Sequence, residues 1–337
     1  MSQHNDPIET VEMHTGGEPV RIIVSGYPDL KGKTLLEKRR DARDRLDHLR
    51  RRLMHEPRGH FDMYGALPVP ADHPDAAFAV LFLHNEGYST MCGHATIALG
   101  RWAVESGRVP KAEPETRFIL QCPCGPVAVA VEVRQGRAGR VRFESVPAFA
   151  AALDCKVEVP AFGTIALDIG YGGAFYAVLP AARLGLDMTG SPRRALVDAA
   201  SAVTEATKTA VLLDHPDDAD LAFLYGTILT DGGDGKSRPS VNVCVFAERE
   251  VDRSPTGSGV TARLALAHAR GAARIDERHV FESLTGARFE GRIVRETQLD
   301  ARAAVTVEVA GKAHYTGTAR FTAEAGDPLK DGFLLRP

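Results

Sequence analysis

The chain has 337 residues, 44% of them apolar and 25% charged, with a formal net charge of −3. That length accommodates two domains of ordinary size with substantial cores, and the slight acidity gives nucleic acid no long-range attraction. No apolar run reaches the length of a membrane span, and the opening Met1-Ser2-Gln3-His4-Asn5-Asp6 has neither a basic flank nor an apolar signal core, so a cytoplasmic protein is expected.

Residues 20–25 read as a strand closed by Gly26 and Pro28. Over residues 35–53, Leu35, Leu46, Leu49 and Leu53 fall at helical spacing. Asp41, Asp44 and Asp47 interleave with the arginines there, so Arg50-Arg51-Arg52 reads as the solvated face of an amphipathic helix, not a nucleic-acid patch. Residues 56–60 form a turn, and 76–83 a buried strand leading into Ser89-Thr90-Met91-Cys92-Gly93-His94-Ala95-Thr96. An alanine-rich helix over 97–105 follows, then strands at 118–121, 126–133 and 140–146. A second series starts near Gly163: a strand at 164–168, a glycine-rich turn into another strand, a helix over 193–207 and strands at 221–229 and 241–247 around a flexible loop at 231–237. Asp252-Arg253-Ser254-Pro255-Thr256-Gly257-Ser258-Gly259 then opens an alanine-rich helix over 262–270, followed by strands within 292–309 and a turn-rich end. The five cysteines are odd in number and irregularly spaced, unlike a disulfide framework. Cys122-Pro-Cys124 has the wrong gap for a zinc knuckle and reads as a strand or turn feature, so no metal is expected.

The same interval separates Cys92 from Gly107 and Thr256 from Gly271. One unit is used twice, with cysteine at the reactive place in the first copy and threonine in the second. The fold class expected is α+β: two similar α/β domains related by a pseudo-twofold axis and facing across a cleft. The first comprises residues 1–162, joined by 320–337, and the second residues 163–319. A ligand site between the two helix starts is expected, because clefts between domains are common binding places.

A helix start offers unpaired N–H groups and a partial positive charge. Two of them facing each other would hold a small carboxylate and stabilise charge developing on it. Proton abstraction beside a carboxylate requires this. Cys92 sits where a helix start would lower its thiol from the usual value of about 8.5, making it a base; the alternative is a small buried hydrophobe. His94 either orients a ligand, shuttles a proton or bonds to backbone. Asp252 either accepts from a ligand ammonium or complements the helix dipole. Ser254 before Pro255 reads as a structural N-cap. Gly257 and Ser258 mirror Gly93 and His94 and present N–H groups. Thr256 offers a hydroxyl that can exchange hydrogen bonds but does not ionise.

Met91-Cys92-Gly93-His94 and residues 252–259 resemble the signatures of the proline racemase family. So do Glu12-Met13-His14-Thr15-Gly16-Gly17, Glu56-Pro57-Arg58-Gly59-His60, Tyr171-Gly172-Gly173-Ala174-Phe175-Tyr176 and Asp327-Pro328-Leu329. The resemblance covers nearly the whole chain. It implies a diaminopimelate epimerase-like fold, no cofactor, a small imino-acid substrate and a homodimer. Racemases and epimerases of the family use two cysteines, one on each face of the substrate's α-carbon; here Thr256 replaces the second. The resemblance then implies the branch that dehydrates trans-3-hydroxy-L-proline, with Cys92 as base and Gly93, His94, Asp252, Thr256, Gly257 and Ser258 contacting substrate. The alternatives are a racemase or 2-epimerase acting on proline or 4-hydroxyproline, and a non-catalytic imino-acid sensor.

Overall fold

The computed structural model describes residues 7–335, so the opening hexapeptide lies outside the described residues. Four α-helices are present among them: α1 (Leu35–Met54), α2 (Gly93–Glu105), α3 (Arg193–Ala210) and α4 (Gly257–Ala269). None is long and apolar enough to cross a membrane. The rest is strand and connection, and the strand pairing shows the chain doing the same thing twice.

In the first pass, Ile8–Thr15 and Glu18–Ser25 form a hairpin. The chain crosses through α1 to Tyr64–Val69, parallel to Glu18–Ser25, and turns back as Ala76–His84. The two-residue strand Tyr88–Ser89 folds onto the end of Ala76–His84; α2 follows, and Glu115–Cys122 returns parallel to Ala76–His84. In the second pass, the Gly163–Tyr171 and Phe175–Pro180 hairpin leads through α3 to Leu224–Thr230, which pairs antiparallel with Ser240–Phe246. Glu250–Asp252 folds back on that strand, α4 follows, and His279–Ser283 returns parallel to Ser240–Phe246. The helices α2 and α4 therefore occupy equivalent crossovers and have the same length of 13 residues.

Each pass closes on strands from the other. Phe149–Val159 pairs with Gly163–Tyr171, Ala313–Phe321 with Ile8–Thr15, and Arg137–Glu144 with Arg302–Gly311. This stitching brings the two crossovers together. Ala95, Ile97, Ala98 and Leu99 of α2, and Val260, Ala262 and Leu264 of α4, belong to one apolar core that runs through both halves. Both helices are apolar nearly all round because little of either reaches water.

Helix α1 is different: one face covers a smaller core of Leu35, Leu46, Leu49 and Leu53 against Leu67, Leu81 and Leu83. Its start is fixed by a capping box in which Thr34 and Glu37 satisfy each other's backbone N–H. The expectation of a solvated Arg50-Arg51-Arg52 face is corrected here. Arg50 and Arg52 are buried; Arg50 bridges Asp47 to the carbonyls of His84 and Asn85, and Arg52 reaches Lys330 O and Asp331. Their guanidinium groups satisfy backbone carbonyls that α1 would otherwise seal from water. The strand expected at 221–229 begins at Leu224, after a short 3-10 turn at Ala219–Leu221.

Candidate active site

Cys92 is the N-cap of α2, and Thr256 is the N-cap of α4. The assignment of Ser254 as cap is corrected. The helix begins after Thr256, whose own N–H donates to Ser254 Oγ at 3.1 Å. The two helix starts touch. A Cβ added to Gly93 would lie 2.5 Å from Gly257 Cα, and one added to Gly257 would lie 2.7 Å from Gly93 Cα. Only glycine permits that approach. Gly172 does a similar service behind α4, where a Cβ would meet Ser258 O at 2.2 Å.

Around the junction lies a small cavity of about 10 Å³, at the threshold for a single water. It brings together every expected site residue: Cys92, Gly93 and His94 from the first half, and Asp252, Thr256, Gly257 and Ser258 from the second. A larger open groove of about 960 Å³, lined by Arg140, Arg238 and Arg288, contains none of them.

Cys92 Sγ accepts from Ala95 N at 3.3 Å and lies 3.1 Å from His94 Nδ1. The expected lowering of its pKa is overturned. Burial pushes the thiol well above its ordinary value, with the Ala95 N–H pulling the other way and Asp252 adding to the rise. Burial also holds the His94 imidazole down at about 3, partly opposed by the Pro19 carbonyl, so the ring is neutral. Asp252 accepts from Ser254 N at 2.7 Å, yet burial raises it to about 6. Ser258 Oγ and the Tyr176 hydroxyl are 2.7 Å apart.

Thr256 is 4% exposed, and its Oγ1 has no hydrogen-bond partner among the described residues. It lies beside Asp252 and Cys244 without meeting hydrogen-bond geometry to either. Its φ of 61° is left-handed, a conformation costing a β-branched residue on the order of 1–3 kcal/mol. An orphaned buried hydroxyl costs about 1–3 kcal/mol more. Both costs fall on one residue facing the cavity, as at sites shaped for a ligand.

First-half side chains hold the loop before α4 in place. Glu18, fully buried, accepts from Arg253 N at 2.7 Å, and burial followed by the neighbouring Asp252 raises its carboxyl well above the usual range. Asp62 accepts from Val251 N at 2.9 Å and pairs with Arg253 at 2.7 Å. His84 meets the buried Glu250 at 3.0 Å.

Tyr64, Tyr225, Cys244 and Phe246 also line the cavity and carry no local sequence signal, whereas Tyr176, another lining residue, ends one of the family-like stretches. Cys244 is directly opposite Asp252 in the strand ladder, so both side chains project from one face. Tyr64 opens a strand whose first partner is His84, at the end of the strand that feeds the Cys92 motif. A strand-pairing scheme for residues 64–84 would have found it; spacing alone does not.

Two matching halves with helix starts meeting over one small cavity define the diaminopimelate epimerase-like class of cleft proteins. The sequence pattern of the family described as proline racemase matches residues 10–334, and the chain belongs to that family. It is 57% identical over 336 residues to the human protein named trans-3-hydroxy-L-proline dehydratase, covering 98% of this chain and 95% of that one. It is 43% identical over 329 residues to a Burkholderia multivorans protein named 3-hydroxyproline 2-epimerase, covering 98% of each. The crystal structure of a probable proline racemase from Agrobacterium radiobacter, with bound carbonate, superposes with a TM-score of 0.92 at 31% identity, over 97% of this chain and 96% of that one.

Proposed function

We propose that the protein dehydrates trans-3-hydroxy-L-proline to Δ1-pyrroline-2-carboxylate, without a cofactor and with Cys92 as the base. One observation carries this reading: two helix starts in backbone contact address a single cavity, with a thiol on one and only a hydroxyl on the other. The name of the human relative supports the substrate.

The first-turn N–H groups of α2 and α4 hold the substrate carboxylate and take up charge as the α-carbon loses its proton. Asp252 faces the ring ammonium. That cation offsets the like charge which adds to the rise of Cys92, leaving the Ala95 N–H opposed chiefly by burial. Inversion needs an acid on the opposite face, where Thr256 offers only a hydroxyl. Elimination needs one base and a β leaving group, and the 3-hydroxyl is such a group. Its loss gives an enamine that tautomerises to the cyclic imine. In the trans isomer the hydroxyl is opposite the carboxylate, so the α-hydrogen and the hydroxyl share the ring face presented to Cys92. The elimination is therefore syn. The cavity is too small for the ring, so the halves part to admit it, releasing pairs such as Arg40–Asp220 (2.9 Å) that span them.

The Burkholderia relative's name favours a second reading, inversion at the same carbon with the Thr256 hydroxyl or a water on the far face. Incubating purified protein in D2O with trans-3-hydroxy-L-proline, trans-4-hydroxy-L-proline and L-proline in parallel separates the two. Dehydration gives a cyclic imine trapped by o-aminobenzaldehyde; inversion gives the epimer carrying α-deuterium. Ligand binding without either product would leave a sensor.

A further inference from the structure

We propose that the Tyr64 hydroxyl donates the proton with which the substrate's 3-hydroxyl departs. This rests on the dehydration reading above.

Tyr64 is 2% exposed, and its ring is fixed by its neighbours. The His94 ring meets it edge-on at 4.7 Å, Phe246 edge-on at 6.3 Å, and His84 stacks at 6.1 Å. Its hydroxyl has no hydrogen-bond partner among the described residues, although the residue lines the cavity with Cys92. Ser89, Tyr225 and the Cys92 sulfur all lie close to it, but the Ser89 hydroxyl is engaged with Met91 O at 2.8 Å and none of the three meets the Tyr64 hydroxyl at full hydrogen-bond geometry. Buried hydroxyls are ordinarily paired. One left unpaired against a cavity, on a ring that cannot swing away, is placed for an oxygen that arrives with a ligand.

The side of the cavity is the correct one. Tyr64 packs on His94, and His94 lies 3.1 Å from Cys92 Sγ, so the three form one first-half wall. Thr256, Asp252 and Ser258 form the other. A syn elimination puts the leaving oxygen on the Cys92 wall. Of the groups there, Cys92 is occupied with the α-proton, and His94, held down at about 3 by burial, is not an imidazolium with a proton to spare. Tyr64 remains, its proton retained because burial raises the phenol well above 10.

The proton balance closes. The Cα–H bond breaks and its proton goes to Cys92 sulfur, while its electron pair forms the Cα–Cβ double bond. The Cβ–O bond breaks with its pair on oxygen, which takes the Tyr64 proton and leaves as water. The Tyr64 hydroxyl and the Cys92 sulfur are neighbours on one wall, so the phenolate takes the proton back from the Cys92 thiol and both side chains return to their starting forms.

The test is Tyr64→Phe, which removes one oxygen whose contacts with Ser89, Tyr225 and Cys92 fall short of full hydrogen-bond geometry, so the melting temperature is expected to change little. Turnover of trans-3-hydroxy-L-proline is expected to fall about 10²-fold or more. Turnover of trans-3-chloro-L-proline, whose chloride leaves without a proton, stays near wild type. In D2O, the unreacted hydroxy substrate still gains α-deuterium, because Cys92 continues to form a carbanion that cannot discharge. Full activity of the variant on the hydroxy substrate would overturn the proposal. So would equal loss on both substrates, or loss of deuterium exchange in step with elimination. Failure of the dehydration reading is distinguishable, since wild-type protein would then give epimer and no imine.

Discussion

Gly93 and Gly257 meet backbone to backbone, each occupying the space a side chain on the other would need. This contact sets the distance between the two helix starts, and so the distance between Cys92 and Thr256 across a substrate.

Gly93→Ala is expected to force α2 and α4 apart. A displacement of about 1 Å at the reacting groups costs on the order of 10²-fold in rate, and overpacking a buried contact costs about 1–3 kcal/mol of stability. Both effects are read from kcat/KM and a thermal melt. An alanine variant with wild-type kinetics would show that the junction has slack.

The pH dependence follows from Asp252. Its folded pKa is raised to about 6 from 3.8, so the folded state keeps a proton the unfolded state has released. Its contribution is most favourable below about pH 4, declines as pH rises through 6, and is flat above. Asp252→Asn removes that decline and keeps an acceptor for Ser254 N–H. It is expected to be more stable than wild type by up to about 3 kcal/mol at pH 7.5, with the advantage shrinking toward pH 4. Its activity is expected to fall at least 10²-fold, because a neutral amide no longer answers the ring ammonium. Paired denaturation curves at pH 4 and 7.5 check the first point, and kcat/KM the second.

Cys92 adds a limb on the alkaline side. Burial holds the thiol above its usual range, so kcat/KM is expected to keep rising with pH past about 8.5, where an unperturbed thiol would level off. Cys92→Ser should be inactive throughout. A profile that levels near pH 7 would mean that the free protein already carries a thiolate.

The helix starts were legible because glycine, cysteine and proline at fixed offsets leave few other conformations, and the equal intervals to Gly107 and Gly271 exposed the repeat. What escaped was set by distant partners. The electrostatics of Cys92 depend on burial among residues from both halves, which outweighs the helix start. Tyr64 reaches the cavity through strand pairing with His84. Phe149–Val159 pairs with the following hairpin, while Ala313–Phe321 returns to the first strand; composition does not reveal such an exchange.

Arg50 is the sharpest case, since neighbouring acids gave it the pattern of a surface residue. In the fold it ties α1 to the strand end that feeds the Cys92 motif. Arg50→Ala takes a donor from the buried carbonyls of His84 and Asn85, the latter keeping His55 Nε2 at 2.8 Å, and is expected to cost about 1–3 kcal/mol. It should leave kcat nearly unchanged at temperatures where the variant is folded. A chemical denaturation midpoint within error of wild type would return the residue to the surface.

Thr256→Cys tests the asymmetry itself. The change removes a β-branched side chain from a left-handed position, where it is strained, so stability is expected to hold or improve slightly. It also places a thiol on each face of the α-carbon. Inversion of proline or 4-hydroxyproline, absent or slow in wild type, should appear as epimer carrying α-deuterium in D2O. Dehydration should persist, because Cys92 and the leaving group are untouched. A folded variant with no inversion on any of these substrates would mean that position 256 does not face the α-carbon, and the division between a basic and a passive wall would fail with it.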